Sequence, residues 1–224
     1  MTLSNNNYRE LIYIPAGEVR LEGELAIPPD SKSLVIFSHG SGSGRFSPRN
    51  NFVAKILQEK GIGTLLLDLL TNEEDEVYAN RFNINLLTER LVIATKYLSA
   101  FSHKTENFDF GYFGASTGAA SAIGAAVALP ELIHSVVSRG GRPDLAMDVV
   151  AEMKAATLLI VGELDYQVLE WNRDVLKKLK CTKKIEVVAG ASHLFEEPGT
   201  LKQAALLASD WFSKYLQTIK EKTL

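Results

Sequence analysis

Cysteine is nearly absent from this chain of 224 residues, which contains Cys181 alone. One thiol excludes an intramolecular disulfide, and its place between a lysine-rich stretch and a predicted strand argues against a catalytic role. Long apolar runs are absent as well. The least polar stretch, residues 115–129, is too short and too rich in Gly, Ser and Thr to span a bilayer.

An excess of either charge is also lacking, since 24 Lys and Arg stand against 27 Asp and Glu. This balance gives no electrostatic reason to expect a nucleic acid partner. The polar residues 1–10 have neither the basic start nor the apolar run of a secretory signal. We therefore expect a cytoplasmic protein with no nucleic acid or membrane partner. An apolar content of 46% fits one α/β domain over residues 1–224.

Two kinds of apolar pattern divide the chain. Alternating segments at residues 10–14 and 18–27, joined by residues 15–17, predict an antiparallel hairpin. Farther along, continuous apolar runs typical of buried strands alternate with stretches of helical periodicity. The predicted strands are residues 34–37, 63–67, 108–113, 135–137, 158–161 and 185–188; the predicted helices are residues 50–60, 83–100, 116–128, 166–179 and 200–219. This alternation predicts a mostly parallel sheet with helices on both faces, and active residues just after the strands.

Residues 114–118 read Gly-Ala-Ser-Thr-Gly, between a predicted strand and a helix start made of small residues. In this setting the G-x-S-x-G pattern predicts a sharp turn, with Ser116 at strained backbone angles and its hydroxyl exposed. The flanking glycines would avoid collisions with the neighbouring strand and helix. The helix start offers the backbone N–H of Thr117 to a developing oxyanion. A chance match in a small-residue helix is the alternative.

A serine nucleophile needs a base, and the chain has four histidines. His103 and His134 precede strands and so belong to the wrong end of the sheet, whereas His193 follows the last strand. Asp165 follows the preceding strand and is expected to orient the imidazole, with Glu163 of the same loop as a competing acid. A helix N-cap is the other role that suits Asp165.

The glycine-rich loop at residues 39–45 follows the first buried strand. It lacks the Gly-Lys-Ser/Thr ending of a P-loop and the third glycine of a dinucleotide fingerprint, so nucleotide binding is not predicted. The remaining interpretation is an oxyanion loop. Its Ser41 backbone N–H would be the second donor beside that of Thr117, and His39 and Gly40 are candidate substrate contacts. A flexible surface loop is the alternative.

Four segments together resemble the α/β-hydrolase superfamily, in particular its small dienelactone-hydrolase-like branch. They are residues 37–40 (Phe-Ser-His-Gly), 114–118, 162–165 (Gly-Glu-Leu-Asp) and 190–193 (Gly-Ala-Ser-His). The similarity extends from about residue 33 to about residue 212. The chain order Ser116, Asp165, His193 is the one expected of this superfamily. The resemblance implies a Ser-His-Asp triad that needs no cofactor, and the spacing of the acids and histidines predicts no metal site.

The resemblance breaks at the nucleophile, because dienelactone hydrolases use a cysteine where this chain has Ser116. An ordinary ester is therefore at least as good a candidate substrate as a dienelactone. Residues 138–144 resemble a segment of hydrolase-like proteins that are sometimes fused to phosphoribosyltransferases. Within it, Arg139 and Arg142 either attract a substrate carboxylate or form surface salt bridges, with the acidic residues 73–76 as further partners.

The sequence thus predicts a serine hydrolase that cleaves a small carboxylic ester, thioester or lactone through an acyl-enzyme. Acyl transfer by the same residues, and a low-turnover ligand-binding or sensor protein of this fold, are the alternatives. The stretch between Arg142 and the next strand is too short for a lid domain, so the site should be open.

Overall fold

The computed structural model describes residues 8–100 and 102–216. Within them, eight strands form one sheet in the order β1-β2-β4-β3-β5-β6-β7-β8. The strands are β1 (Tyr8–Ala16), β2 (Val19–Ile27), β3 (Ser33–Ser38), β4 (Gly63–Leu67), β5 (Asp109–Ala115), β6 (Ile133–Arg139), β7 (Ala156–Gly162) and β8 (Lys183–Val188). Strands β3 to β8 are parallel and the β1–β2 hairpin joins β4 in antiparallel fashion. The predicted sheet is therefore confirmed.

Six helices connect or flank these strands in the described residues: α1 (Pro48–Glu59), α2 (Asn72–Glu76), α3 (Ile84–Ala100), α4 (Gly118–Ala128), α5 (Tyr166–Lys178) and α6 (Thr200–Leu216). The predicted end of the last helix, residues 217–219, lies outside the described residues. Helix α2 was not predicted, although a capping box between Thr71 and Glu74 marks its start.

Helices cover both faces of the sheet, as the alternation of patterns predicts. Helices α3, α4 and α5 pack on one face, and α1 and α6 on the other. Successive side chains of β6 show the division. Val136 belongs to the core on the side of α3, α4 and α5, and Val137 belongs to the core on the side of α1 and α6; both are fully buried. Burial on both faces explains the continuous apolar runs of the central strands.

The N-terminal hairpin turns later than the sequence pattern predicts. Strand β1 includes Pro15 and Ala16, and a two-residue turn of Gly17 and Glu18 leads to Val19. Gly17 has a φ of 72°, which suits the left-handed first position of such a turn. Because β1 is an edge strand, the missing N–H of Pro15 costs the sheet no ladder bond.

The connection between β6 and β7 contains two short 3₁₀ segments, Pro143–Ala146 and Val150–Glu152. No lid stands between these strands, which agrees with the short spacing in the sequence. The segments that follow the carboxyl ends of β5, β7 and β8 carry the candidate site.

Candidate active site

Ser116 stands at a strained turn between β5 and α4. Its φ of 52° lies in the left-handed region that residues with a side chain rarely adopt. A Cβ on Gly114 would lie 2.5 Å from the Cα of Ala119, and one on Gly118 would lie 2.1 Å from the carbonyl oxygen of Ser38. The structure thus has the predicted strand–turn–helix, and its glycines are required by close backbone contacts.

The glycine-rich loop after β3 runs directly against this turn. A Cβ on Gly40 would lie 2.9 Å from the Cβ of Ser116 and 3.6 Å from its Oγ. The loop and the serine are therefore brought together, as the oxyanion-loop interpretation requires.

His193 and Asp165 meet across the loops that follow β8 and β7. The His193 Nδ1 lies 2.6 Å from the Asp165 Oδ2, and the carboxylate is 14% exposed against 39% for the imidazole. Asp165 stands at the N-cap position of α5 but makes no side-chain cap bond. The competing acid, Glu163, accepts a hydrogen bond from the Gly190 backbone N–H at 2.8 Å instead. The geometry favours Asp165 as the partner of His193.

Two residues that the sequence analysis did not identify hold the His193 loop. Glu197 accepts the Ser192 N–H at 3.1 Å, and hydrogen bonding with the side chain of Ser192, followed by that with its backbone N–H, lowers the pKa of the Glu197 carboxyl group. Phe195 is buried with a φ of 57°, and its N–H donates to the Ser192 carbonyl. A strained, buried aromatic residue two positions after His193 fixes the course of the loop, and no motif signals it.

The segment after β6 joins the serine turn to the histidine loop. Ser116 N–H donates to the Arg139 carbonyl at 3.4 Å, and Arg142 N–H donates to the Ser116 carbonyl at 2.9 Å. Gly140 has a φ of 51°, and a Cβ there would lie 3.0 Å from the His193 carbonyl oxygen. One short segment thus contacts both candidate catalytic residues, which belong to distant parts of the chain.

The Ser41 backbone N–H, predicted as an oxyanion donor, is already engaged. It donates to the Thr117 Oγ1 at 3.0 Å. In this structure the single hydrogen of the Ser41 N–H is therefore directed at Thr117, and a role for Ser41 as an oxyanion donor stays a prediction. Thr117 itself stands at the N-cap of α4, where the first N–H groups of the helix lack an intrahelical partner.

His39, a predicted substrate contact, supports the glycine-rich loop through hydrogen bonds with backbone groups. Its Nδ1 lies 3.0 Å from the Gly40 carbonyl, and its Nε2 accepts the Leu69 N–H at 3.1 Å. Burial lowers the pKa of this imidazole, so the neutral ring is favoured. Since both ring nitrogens are used, His39 ties the glycine-rich loop to the end of β4.

The two arginines after β6 have different surroundings. Arg142 pairs with Asp144 and stacks on Trp171 at 3.7 Å, so the salt-bridge alternative holds for it. Arg139 is buried, with its Nε and Nη1 lacking a hydrogen-bond partner within the described residues. Burial, with a smaller contribution from Arg49, lowers its pKa to about 10. Its guanidinium lies 5.6 Å from the Phe195 ring, beside the histidine loop.

Other reactive residues stand away from this edge of the sheet. His103 is exposed, His134 is the second residue of β6 with its Nε2 3.9 Å from Asp109, and burial raises the pKa of Cys181. The residues that the structure describes contain no group of three acids, histidines or cysteines that could hold a metal ion. No helix among them is long and apolar enough to cross a membrane.

Two grooves mark the surface near and far from the turn. One of about 870 Å³ borders the glycine-rich loop and the loop after β4, with Arg45, Phe46, Asp68 and Glu73 in its walls. The other, of about 840 Å³, lies between β2 and α1 and includes none of the candidate site residues. The first groove includes His39 among its lining residues but none of Ser116, Asp165 and His193.

Comparison with solved structures gives a close relative along the whole chain. A dienelactone hydrolase from Anabaena variabilis is 48% identical and has a TM-score of 0.91; the match covers 94% of this chain and 99% of that one. An esterase from Pyrococcus furiosus has a TM-score of 0.77 at 15% identity, covering 94% of this chain and 92% of that one. The second likeness concerns the fold alone.

Among curated proteins, the chain matches two from strains of Mycobacterium tuberculosis that carry the provisional name of phosphoribosyl transferase. The identity is 48% over 207 residues, which is 92% of this chain and 46% of theirs. The chain thus spans about half the length of these relatives. No model of a protein family matches the chain.

Proposed function

Because this chain belongs to the dienelactone hydrolase family of the α/β-hydrolase superfamily, we propose that it is a serine hydrolase. Its substrate is a small carboxylic ester, thioester or lactone, which it cleaves through an acyl-enzyme on Ser116. His193 is the base and Asp165 orients it. The family supports a hydrolase, and the three residues give it a mechanism.

One observation carries the proposal: residues 139–142 contact both the strained turn of Ser116 and the loop of His193. That loop in turn presents an imidazole whose Nδ1 lies 2.6 Å from Asp165. A positive φ at a non-glycine residue is costly, and such strain is commonly retained at catalytic positions. A nucleophile, a base and an acid from three separate loops thus share one edge of the sheet.

These positions support the following acylation step. The Nε2 of His193 takes the proton of the Ser116 hydroxyl as Oγ attacks the acyl carbon. The Nδ1–H remains donated to Asp165, which fixes the tautomer and stabilises the imidazolium that forms. The Thr117 N–H at the start of α4 stabilises the oxyanion. The imidazolium then gives its proton to the leaving alcohol or thiol.

Deacylation repeats the same steps with water. His193 takes a proton from the attacking water, and the second tetrahedral intermediate releases the acid and restores Ser116. The candidate site reaches the surface, because the imidazole is 39% exposed and no lid stands between β6 and β7. Water therefore has access to the acyl-enzyme, which favours hydrolysis over transfer to another acceptor.

The name of the curated relatives raises the alternative of phosphoribosyl transfer. The matched segment is 46% of those proteins, so their named activity is not carried to this chain. Hydrolysis has the support of a relative that the chain matches over nearly its entire length.

Hydrolysis of p-nitrophenyl acetate by the full chain tests this proposal. Ser116→Ala should reduce kcat by about 10³-fold or more, because no other hydroxyl takes the place of the nucleophile. Ser99→Ala on α3 is the matched control and should keep the activity of the unaltered protein. Equal turnover by Ser116→Ala and the control would contradict the proposal.

A further inference from the structure

The hydroxyl of Thr117 is directed at the glycine-rich loop instead of its own helix. A threonine at a helix N-cap commonly accepts a hydrogen bond from an N–H of the first turn. Thr117 makes no such bond in α4 and accepts the Ser41 N–H at 3.0 Å. The residue is 5% exposed, so this orientation is held by its surroundings.

This hydrogen bond lies beside the candidate nucleophile. Thr117 follows Ser116 directly, and Gly40, which precedes Ser41, is so close that a Cβ would lie 2.9 Å from the Ser116 Cβ. A Cβ on Gly118 would overlap the backbone of Ser38 and His39, where β3 leads into this loop. The helix start and the loop are therefore in close contact, and the Thr117 hydroxyl, on the residue after Ser116, is hydrogen-bonded to the loop residue after Gly40.

The numbers of hydrogens on the Ser41 N–H and on the Thr117 hydroxyl determine which of the two groups can donate to an oxyanion. The Ser41 N–H has one hydrogen, which Thr117 already accepts. A hydroxyl that accepts through one lone pair still has its own hydrogen to donate. Because hydrogen bonds in a chain polarise one another, donation from Ser41 makes the Thr117 hydroxyl a stronger donor.

We propose that the Thr117 hydroxyl is a catalytic hydrogen-bond donor: it accepts the Ser41 N–H and donates its own hydrogen to the oxyanion, beside the Thr117 backbone N–H. The Ser41 N–H, predicted as an oxyanion donor, then acts indirectly, through the Thr117 hydroxyl to which it donates. No proton is transferred, since the hydroxyl keeps its hydrogen throughout. The inference rests on the proposed acyl-enzyme chemistry at Ser116. If the hydroxyl instead blocked the Ser41 donor, its removal would raise the activity.

Thr117→Val keeps the shape of the side chain and removes the hydroxyl, and Thr117→Ala is a second variant without it. With p-nitrophenyl acetate, both should lose about 10²–10³-fold in kcat, as expected for the loss of one oxyanion donor, with KM within about threefold. Thr117→Ser should recover most of this loss. Thr88→Val on α3, a threonine away from the site, is the matched control.

A second readout is the inhibition constant of an aryl trifluoromethyl ketone, whose adduct on Ser116 bears the oxyanion. Its affinity should fall in Thr117→Val by the same factor as kcat. A variant that binds the ketone as tightly as the unaltered protein, or turns over equally fast or faster, overturns the inference. Thermal unfolding is followed in parallel, and a crystal structure of the native protein with the ketone decides the case in which neither variant folds. In that structure the oxygen of the ketone adduct should lie within hydrogen-bond distance of Thr117 Oγ1. If it does not, the inference is wrong.

These outcomes are distinct from failure of the proposed function. If the unaltered protein neither hydrolyses the ester nor forms the ketone adduct, the serine hydrolase proposal fails and the role of Thr117 fails with it. If the unaltered protein is active and Thr117→Val is equally active, the hydrolase proposal stands and the role of the hydroxyl alone is refuted.

Discussion

The Nδ1 of His193 lies 2.6 Å from the Oδ2 of Asp165, although Asp165 begins a helix whose N–H groups its carboxylate could cap. A carboxylate at this position has two competing uses. The side chain is turned to the imidazole, and the helix start is left without a side-chain cap. Because a carboxylate accepts the hydrogen bond, the hydrogen of the neutral imidazole lies on Nδ1. The Nε2 atom is then the one that can act as a base.

The first prediction concerns this pair. Asp165→Asn should reduce kcat by about 10³–10⁴-fold with little change in thermal stability, because an amide favours the wrong tautomer of His193. Glu163→Gln is the matched control from the same loop. Steady-state kinetics that find the Glu163 variant more damaged than the Asp165 variant would show that the acid has been misassigned.

The order of these residues was predictable from the sequence, which favoured Asp165 as the partner of His193 but left Glu163 as a competing acid. The strand–helix alternation and the position of each residue just after a strand predict one shared edge of the sheet. Whether Asp165 or Glu163 reaches His193 depends on the course of two loops. That course is set by Phe195 and Gly140, whose positive φ angles no sequence pattern predicts.

A second prediction concerns the contact between the glycine-rich loop and Ser116. In Gly40→Ala the new methyl group would lie 2.9 Å from the Ser116 Cβ and 3.2 Å from the Ala115 carbonyl oxygen, so the turn must shift. A displacement of this size should lower kcat by about 10²-fold. Gly124→Ala in α4 adds the same methyl group next to the movable side chain of Thr88 and should keep its activity. Equal kcat in the two variants would refute the close contact.

A third prediction concerns the pH dependence of stability through His39. Burial lowers the pKa of this imidazole from its usual 6.5. Between the folded and unfolded pKa values the unfolded chain binds the extra proton, so stability falls as the pH drops below about 6.5, by at most about 1.4 kcal/mol per pH unit. Urea unfolding at about pH 7.5 and about pH 5.5 measures this loss.

The variant His39→Gln should show a smaller loss between the two pH values, since its amide cannot take up the proton. His103→Gln is the control, because the His103 side chain is 98% exposed, and it should lose as much stability as the unaltered protein. An unchanged loss in His39→Gln would mean that this buried imidazole is not the source of the pH dependence.

His39 also illustrates what sequence alone leaves open. Its place at the end of a strand, next to a glycine-rich loop, suggested a contact with substrate. In the structure both ring nitrogens of His39 lie within hydrogen-bond distance of backbone groups. One of these groups is the N–H of Leu69, which lies just after strand β4. Hydrogen bonds between segments that are distant in the chain depend on tertiary packing, which apolar periodicity does not specify.

A fourth prediction concerns acyl chain length. Little of a long chain can be buried at an open site with no lid between β6 and β7, and each methylene that stays exposed forgoes about 0.8 kcal/mol. We expect kcat/KM for p-nitrophenyl esters to be highest with acetate or butyrate and lower with octanoate and laurate. Activity should not rise above the critical micelle concentration. A steady increase through laurate would contradict an open site.

Covalent labelling of the native chain with a fluorophosphonate tests the central claim most directly, because the reagent reacts with an activated serine and needs no knowledge of the substrate. Peptide mapping of the labelled protein should find one adduct, on Ser116. His193→Ala should slow its formation, and Ser116→Ala should remove it. A folded protein that forms no adduct, or one labelled at another serine in Ser116→Ala, would contradict the assignment of Ser116 as the nucleophile.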